Sequence, residues 1–437
     1  MKRSIYQELL KWKEAPQRKV LLIRGARQVG KTFIVRELSR EFPDYLEINL
    51  EQDTRVHQVF SQTLDPIKIC QFLSSYYGKR IIPGTTLLFF DEIQACVPAI
   101  QSLRYFYEQM PDLHVVGAGS LLEFALSDIP SFAVGRVRQL YMYPMSFDEY
   151  LEALGFQDLL EGKLMASPDH PLPEVLHLRL LEHLRTFFIT GGMPEAVAQY
   201  IKTSDFLTCQ QVQNDLIQSL ESDFARYKQR SPIMVLREVF RSIVTQTGQK
   251  FIYTKAGQNL PLLKVQESFE LLRMARLVFP VYHSSATGIP LGADINIKRF
   301  KALFLDTGLY QRLSSLDISD WLVMKNSDLV NRGPMAELFT GLEILKYRNP
   351  YEPPDLYYWH RESLSSTAEV DYVIQKRNQI IPVEVKSGST GKMQSLFLFL
   401  KEKGLDKGYR VSAENFARYP KIEVFPLYAI SNLLSDL

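Results

Sequence analysis

The chain has 437 residues, 46% of them hydrophobic and 23% charged, with a formal net charge of +2. That length supports two to four domains with cores of their own, and the near-neutral balance excludes a global field directed at nucleic acid. Cys70, Cys96 and Cys209 stand far apart with no C-x-x-C spacing, which excludes a disulfide framework or a zinc knuckle and fits a reducing compartment.

In chain order, the charge-studded N-terminus is not a signal peptide, and no apolar stretch approaches the ~18 residues of a membrane span, so a cytoplasmic protein with no membrane partner is expected. Residues 3–13 read as an amphipathic helix with Ile5, Leu9, Leu10 and Trp12 as its apolar set, ended by Pro16. Val20–Ile23 is a short apolar strand. It leads into Gly25-Ala26-Arg27-Gln28-Val29-Gly30-Lys31-Thr32 and then a helical pattern with Phe33, Ile34 and Leu38 as apolar positions. Strand, glycine loop and helix in this order fit G-x-x-x-x-G-K-[ST]. Gly25 and Gly30 let backbone N–H groups approach phosphate oxygens, and the helix that starts near Lys31 points its positive end at them. Gly25 to Phe33 is therefore the expected ATP-binding segment, with Lys31 neutralising the β- and γ-phosphates and Thr32 a ligand of Mg²⁺.

A second strand is expected at Tyr45–Leu50, a helix at 65–77 and a turn at Pro83-Gly84. Thr86–Phe90 is a fully apolar strand that ends in Asp91-Glu92, as suits the buried centre of a parallel sheet. Asp91 is expected to hold Mg²⁺ and Glu92 to act as general base on the attacking water, with Gln94 close enough to help orient it. After a helix at 99–109, the strand Leu113–Ala118 runs into Gly119-Ser120; Ser120 reads as a γ-phosphate sensor and as the N-cap of a helix at 121–127. Arg136 and Arg138 flank the entry to a fifth strand, 139–143. Either can reach a γ-phosphate, in its own subunit or across an oligomer, or pair with a surface acid. Five strands alternating with helices predict a doubly wound α/β domain over roughly 17–150.

GARQVGKT, LLFFDEIQ, GAGSLL, VGRV and Thr190-Gly191-Gly192-Met193-Pro194-Glu195-Ala196 together resemble a family of bacterial and archaeal AAA+-type ATPases with a largely uncharacterised C-terminal region. The resemblance implies an ATPase core over 1–150 and a helical lid over 151–229. In related signalling ATPases the proline matching Pro194 packs near the adenine. Helices at 147–154, 174–189 and 206–226 fit such a lid.

Residues 230–325 resemble a winged helix: helices at 235–244 and 262–273, then strands at 277–282 and 300–305 around a glycine-containing loop. Lys250, Lys255, Lys264, Arg273, Lys298, Arg299 and Lys301 are expected on a face that meets DNA phosphates, or else the segment contacts a protein. Residues 326–437 open with a helix at 331–346 that carries Glu337, followed by strands at 356–359, 368–375 and 379–386. A turn centred between Arg377 and Asn378 sets Asp371 opposite Glu384, with Cβ atoms about 5 Å apart. Glu384 and Lys386 share a face. Pro382 lacks a backbone donor, so its position is expected at an edge or a bulge. His360 reads as structural or exposed.

Two carboxylates and a lysine on one face suit metal-assisted phosphodiester hydrolysis. Glu337 … Asp371 … Glu384-x-Lys386 resembles the PD-(D/E)XK restriction-endonuclease-like fold, which implies that Glu337, Asp371 and Glu384 hold Mg²⁺ while Lys386 offsets developing charge. The expected function is an ATPase that couples its nucleotide state to a DNA-directed, Mg²⁺-dependent endonuclease-like module. The alternative is a nucleotide-controlled switch that recruits a protein partner and keeps a catalytically inactive nuclease-like domain.

Overall fold

The computed structural model describes residues 1–127, 129, 135–227, 230–257, 259–314, 333–361, 368–386 and 393–436. They form two units. One is Met1–Pro144 with Met274–Arg276 and Asn349–Pro353; the other is Met145–Arg273, Leu277–Arg348 and Pro354–Leu437.

The first unit is built on β1 (Val20–Arg24), β2 (Asp44–Asn49), β3 (Thr86–Asp91), β4 (His114–Gly119) and β5 (Val137–Tyr141). They pair in parallel in the order β2-β3-β4-β1-β5. Every residue of β1, β3 and β4 is buried, which is why these strands read as unbroken runs and not as alternations. The helices Lys31–Leu38, Pro66–Tyr77 and Val97–Gln109 supply the covering faces, with Leu73, Ile100, Leu103 and Phe106 packed against Leu22, Leu88 and Phe90. Asp65 starts one of these helices by accepting from Ile67 N–H at 2.9 Å, with Pro66 in the first turn.

Phe33 departs from expectation. Ile34, Val35 and Leu38 form the buried stripe of the glycine-loop helix, and Phe33 falls outside it, 46% exposed. At the edge of the sheet the last residue of β5 is bonded by the chain itself: Tyr141 N–H donates to Pro350 O at 2.8 Å.

The second unit begins with helices Phe147–Ala153, Gln157–Met165, Glu174–Thr190, Pro194–Thr203 and Phe206–Ser222. A capping box between Ser146 and Glu149 starts the first of them. The Gly191-Gly192 step has a packing reason. A Cβ on Gly191 would lie 2.2 Å from Asp306 Oδ1, and one on Gly192 would lie 2.3 Å from Met145 O. Gly192 N–H donates to buried Asp306 Oδ2 at 2.6 Å.

Helices Ile233–Thr245 and Leu262–Met274 follow, then an eight-stranded sheet. Its strands are β6 (Val278–Ser284), β7 (Ile295–Phe304), β8 (Leu356–His360), β9 (Glu369–Lys376), β10 (Gln379–Val385), β11 (Gly408–Ser412), β12 (Ala417–Tyr419) and β13 (Ile422–Pro426), in the order β12-β13-β11-β10-β9-β8-β6-β7. β6 pairs antiparallel with β7 and parallel with β8. The hairpin read as a wing is thus the end of a sheet that continues through the C-terminal strands. Its first strand is buried at every position but Tyr282, so both of its faces are covered. The helix Gln394–Lys403 packs Leu396, Phe399 and Leu400 on Trp359, Val370, Val373, Ile422 and Val424. Among the described residues no helix is long and apolar enough to cross a membrane, and all three cysteines are buried free thiols.

Candidate functional site

The glycine loop joins the C-terminal end of β1 to the helix Lys31–Leu38. Gly30, at φ 95°, caps that helix in the left-handed region that glycine adopts without strain. At Gly25 a Cβ would lie 2.2 Å from the backbone oxygen of Met142, so the loop can pass there only without a side chain. Arg3, from the N-terminal end, donates to Val29 O at 2.9 Å and Tyr143 O at 2.7 Å and props the loop from below. Ala26 and Val29 are buried, Arg27 is half-buried and Gln28 is exposed.

Lys31 is buried, and Nζ donates to Gly25 O at 3.1 Å and Ala26 O at 2.7 Å. Burial pushes its ammonium down to about 8, against the pull of Glu92 and Asp91. Thr32 Oγ1 donates to Asp91, at 3.2 Å from Oδ1 and 3.0 Å from Oδ2. Burial pushes the Asp91 carboxyl up, and the Thr32 hydroxyl pulls it back. A hydroxyl against a carboxylate at the end of a strand is a pair of hard oxygen donors, and this donor set fits Mg²⁺.

Glu92 sits just past the end of β3 in a left-handed conformation, φ 47° and ψ 44°. Its Oε2 accepts from Gln94 Nε2 at 2.5 Å and from Ser120 Oγ at 3.5 Å. The Gln94 carboxamide fits because residue 119 is glycine: a Cβ there would lie 1.9 Å from Gln94 Oε1. β3 and β4 are neighbours in the sheet, which is how the distant pair Glu92 and Ser120 come together.

Arg136 donates to Glu108 Oε1 at 3.1 Å at the surface, and the Arg138 guanidinium lies 5.1 Å from the centre of the Tyr351 ring. Phe132, Ala133 and Val134 lie outside the described residues. Pro194 is the first residue of its helix in the second unit. Sequence reading passed over Arg24, the residue before Gly25. Its guanidinium is buried, pairs with Glu123 and Gln139, and is pushed down by burial to about 10. Arg276 donates to the same Glu123 at 2.7 Å. The only sequence signal for this pair is an arginine placed where a strand turns into a phosphate loop.

In the second unit the strand register around Arg377 and Asn378 is the one expected. Val383 pairs with Tyr372 and Gln379 with Lys376, which brings Asp371 beside the end of β10. Asp371 Oδ2 accepts from Val385 N–H at 2.8 Å, and Lys386 Nζ lies 2.5 Å from Glu384 Oε1. Pro382 lies inside the sheet, yet it falls one residue before the β11 ladder begins at Val383, so no pairing there needs its N–H.

Burial, then Asp371, pushes the Glu384 carboxyl up to about 8. Burial likewise pushes Glu337 up to about 7, with Lys301 pulling it back. Lys301 corrects the expectation of a phosphate-facing residue. It is buried, 2.7 Å from Glu337 Oε1, 2.5 Å from Glu369 Oε1 and 3.5 Å from Asp371 Oδ1. Two more of the seven expected basic residues pair with local acids: Lys264 with Glu267 and Arg273 with Glu270. His360 is partly buried at the end of β8, its carbonyl near His283 Nε2. Among the described residues no three His, Cys, Asp or Glu side chains are grouped so as to hold a metal ion, so Glu337, Asp371 and Glu384 do not fit Mg²⁺ as they stand.

Residues 17–151 match a family described as an AAA domain. Together with the loop, Lys31, Thr32 and Asp91, the match defines an AAA-like P-loop ATPase domain. Residues 181–320 and 332–430 match two domains of unknown function, DUF8612 and DUF4143. No curated protein matches the chain.

Among solved structures, the Walker-type ATPase PABY2304 of Pyrococcus abyssi is similar at 17% identity, over 71% of this chain and 94% of that one, with a TM-score of 0.46. The AMPPCP-bound DnaA of Aquifex aeolicus is similar at 12% identity, over 62% and 86%, with a TM-score of 0.25. Unliganded Pif1 of a Bacteroides species is similar at 14% identity, over 43% and 50%, with a TM-score of 0.22.

Proposed function

We propose that the protein binds and hydrolyses ATP and uses the nucleotide state as a switch for its C-terminal region, which acts as a platform for a protein partner. The observation that carries the ATPase reading is the chain of contacts from Thr32 through Asp91 to Glu92 beside a buried Lys31. In this reading Lys31 leaves the carbonyls of Gly25 and Ala26 for the β- and γ-phosphates, while the loop N–H groups hold their remaining oxygens. Thr32 and Asp91 would hold Mg²⁺, which supplies charge neutralisation between the phosphates when bound. Glu92 takes a proton from the attacking water, and Gln94 and Ser120 fix the direction of its carboxylate.

A second reading for the C-terminal region, a metal-dependent endonuclease directed at DNA, has in its favour the register that gathers Asp371, Glu384 and Lys386, and it requires Glu337, Asp371 and Glu384 to leave the arrangement described above.

The test is direct. Lys31→Ala is expected to abolish ATP binding measured by calorimetry. Glu92→Gln is expected to keep binding and lose turnover by about 10²–10⁴-fold. Unchanged turnover in either variant overturns the ATPase reading. Incubation with plasmid and single-stranded DNA under Mg²⁺ or Mn²⁺, beside Asp371→Ala, separates the two C-terminal readings: cleavage that depends on Asp371 supports the nuclease.

A further inference from the structure

Three carboxylates converge in the second unit from separate parts of the chain: Glu337 on the helix Gly333–Tyr347, and Glu369 and Asp371 on β9. Lys301 enters from β7, far off in the sheet order, and places Nζ within 4 Å of all three. Its side chain is 2% exposed. A divalent cation in such a place needs oxygens at about 2.0–2.6 Å with lone pairs to give. Here one oxygen each of Glu337 and Glu369 is taken by Nζ, Asp371 Oδ2 is taken by Val385 N–H, and Glu384 Oε1 is taken by Lys386. An ammonium already stands between Glu337, Glu369 and Asp371, and of the Glu384 carboxylate only the buried Oε2 is left without a partner.

We infer that Lys301 is the resident cation of this acidic site. The charge that a metal would bring to a restriction-endonuclease-like hairpin is supplied by the chain, and the C-terminal region keeps its architecture without a divalent ion. The inference rests on the platform reading of that region and is independent of ATP turnover. A lysine from β7 also ties the hairpin end of the sheet to β9 and to the helix that carries Glu337, so one side chain supports three elements.

The experiment uses the full chain without nucleotide, with Asp91→Asn introduced to silence the other candidate ion site, and Mn²⁺ alone as the probe. Mn²⁺ binding followed by electron paramagnetic resonance is expected to show no site that depends on Glu337 or Asp371. Adding Lys301→Met is expected to create one site, at least about tenfold tighter than any in the parent, and Asp371→Asn is expected to remove it again. One Mn²⁺ bound to the Asp91→Asn protein and lost with Glu337→Gln overturns the inference, and so does a folded Lys301→Met variant that gains no site. Should Lys301→Met fail to fold, thermal unfolding of the Asp91→Asn protein decides: a midpoint unmoved by millimolar Mn²⁺ supports the inference, and a rise abolished by Glu337→Gln overturns it.

Discussion

Two buried lysines, Lys31 and Lys301, show opposite solutions to the same physical problem. Lys31 in the first unit is bonded to two main-chain carbonyls, and burial holds its ammonium down at about 8. Lys301 in the second unit is also pulled down by burial, but Glu337, Asp371 and Glu369 carry it well above the ordinary lysine range. A desolvated cation hydrogen-bonded only to carbonyls, with Glu92 and Asp91 acting on it without a direct bond, is under-compensated and gains by meeting an anion. A desolvated cation among carboxylates is already compensated. In the proposed reading the first is a receptor for phosphate and the second a finished part of the fold.

The largest expected effect follows from that difference. Removing one partner of a buried ion cluster leaves uncompensated charge, so Lys301→Ala should cost about 3–5 kcal/mol and lower the unfolding midpoint of the full chain markedly. Lys31→Ala removes a buried, under-compensated charge. Without nucleotide it should leave the midpoint unchanged or raise it, while ATP no longer stabilises the protein. Calorimetric scans of both variants with and without ATP compare the two sites directly. Equal losses of stability without nucleotide would mean that Lys31 is structural too.

The next effect is one of pH. With the nucleotide-free pKa of Lys31 near 8, the ammonium is half present at that pH, nearly complete a pH unit or more below it, and drains away above it. Bound phosphates favour the charged form and raise the pKa. ATP binding should then take up close to one proton about a pH unit above 8, and almost none about a pH unit and a half below it. Affinity should fall by up to about tenfold per pH unit on the alkaline side. Titration calorimetry in buffers of different ionisation enthalpy counts that proton. Uptake that persists in acid would place the titration on another group.

The two sites also differed in how far they could be read from sequence. The first was open because its parts are local: a glycine loop with Lys31 and Thr32 in one stretch, and Asp91-Glu92 ending one apolar strand. Half of the second was open for the same reason, since a two-residue turn fixes the pairing of β9 with β10. Lys301 was hidden because its partners lie 36, 68 and 70 residues away, through a parallel pairing of β6 with β8 that no local pattern encodes. Read locally, Lys298-Arg299-Phe300-Lys301 is a basic strand, and only the sheet turns one of its cations inward. Arg3 and Arg24 escaped for a like reason: each is an ordinary charged residue until the chain folds it against the loop.

The smallest effect probes the part of the first site that is built by contact and not by motif. A methyl added at Gly119 would lie 1.9 Å from Gln94 Oε1 and 3.2 Å from Leu122 Cγ. Gln94 is a side chain and can swing away, but doing so breaks its bond to Glu92 Oε2. Gly119→Ala should therefore lower turnover by about three- to tenfold, well short of Glu92→Gln, with ATP affinity unchanged. If the loss runs through Gln94, then Gln94→Ala alone costs as much, and the double variant costs no more than either single one. A further drop when Gly119→Ala is added to Gln94→Ala would show that the methyl acts through Leu122 or the backbone. Glu92 would then owe its direction to Ser120 and to its own left-handed backbone, and the carboxamide of Gln94 would be packing alone.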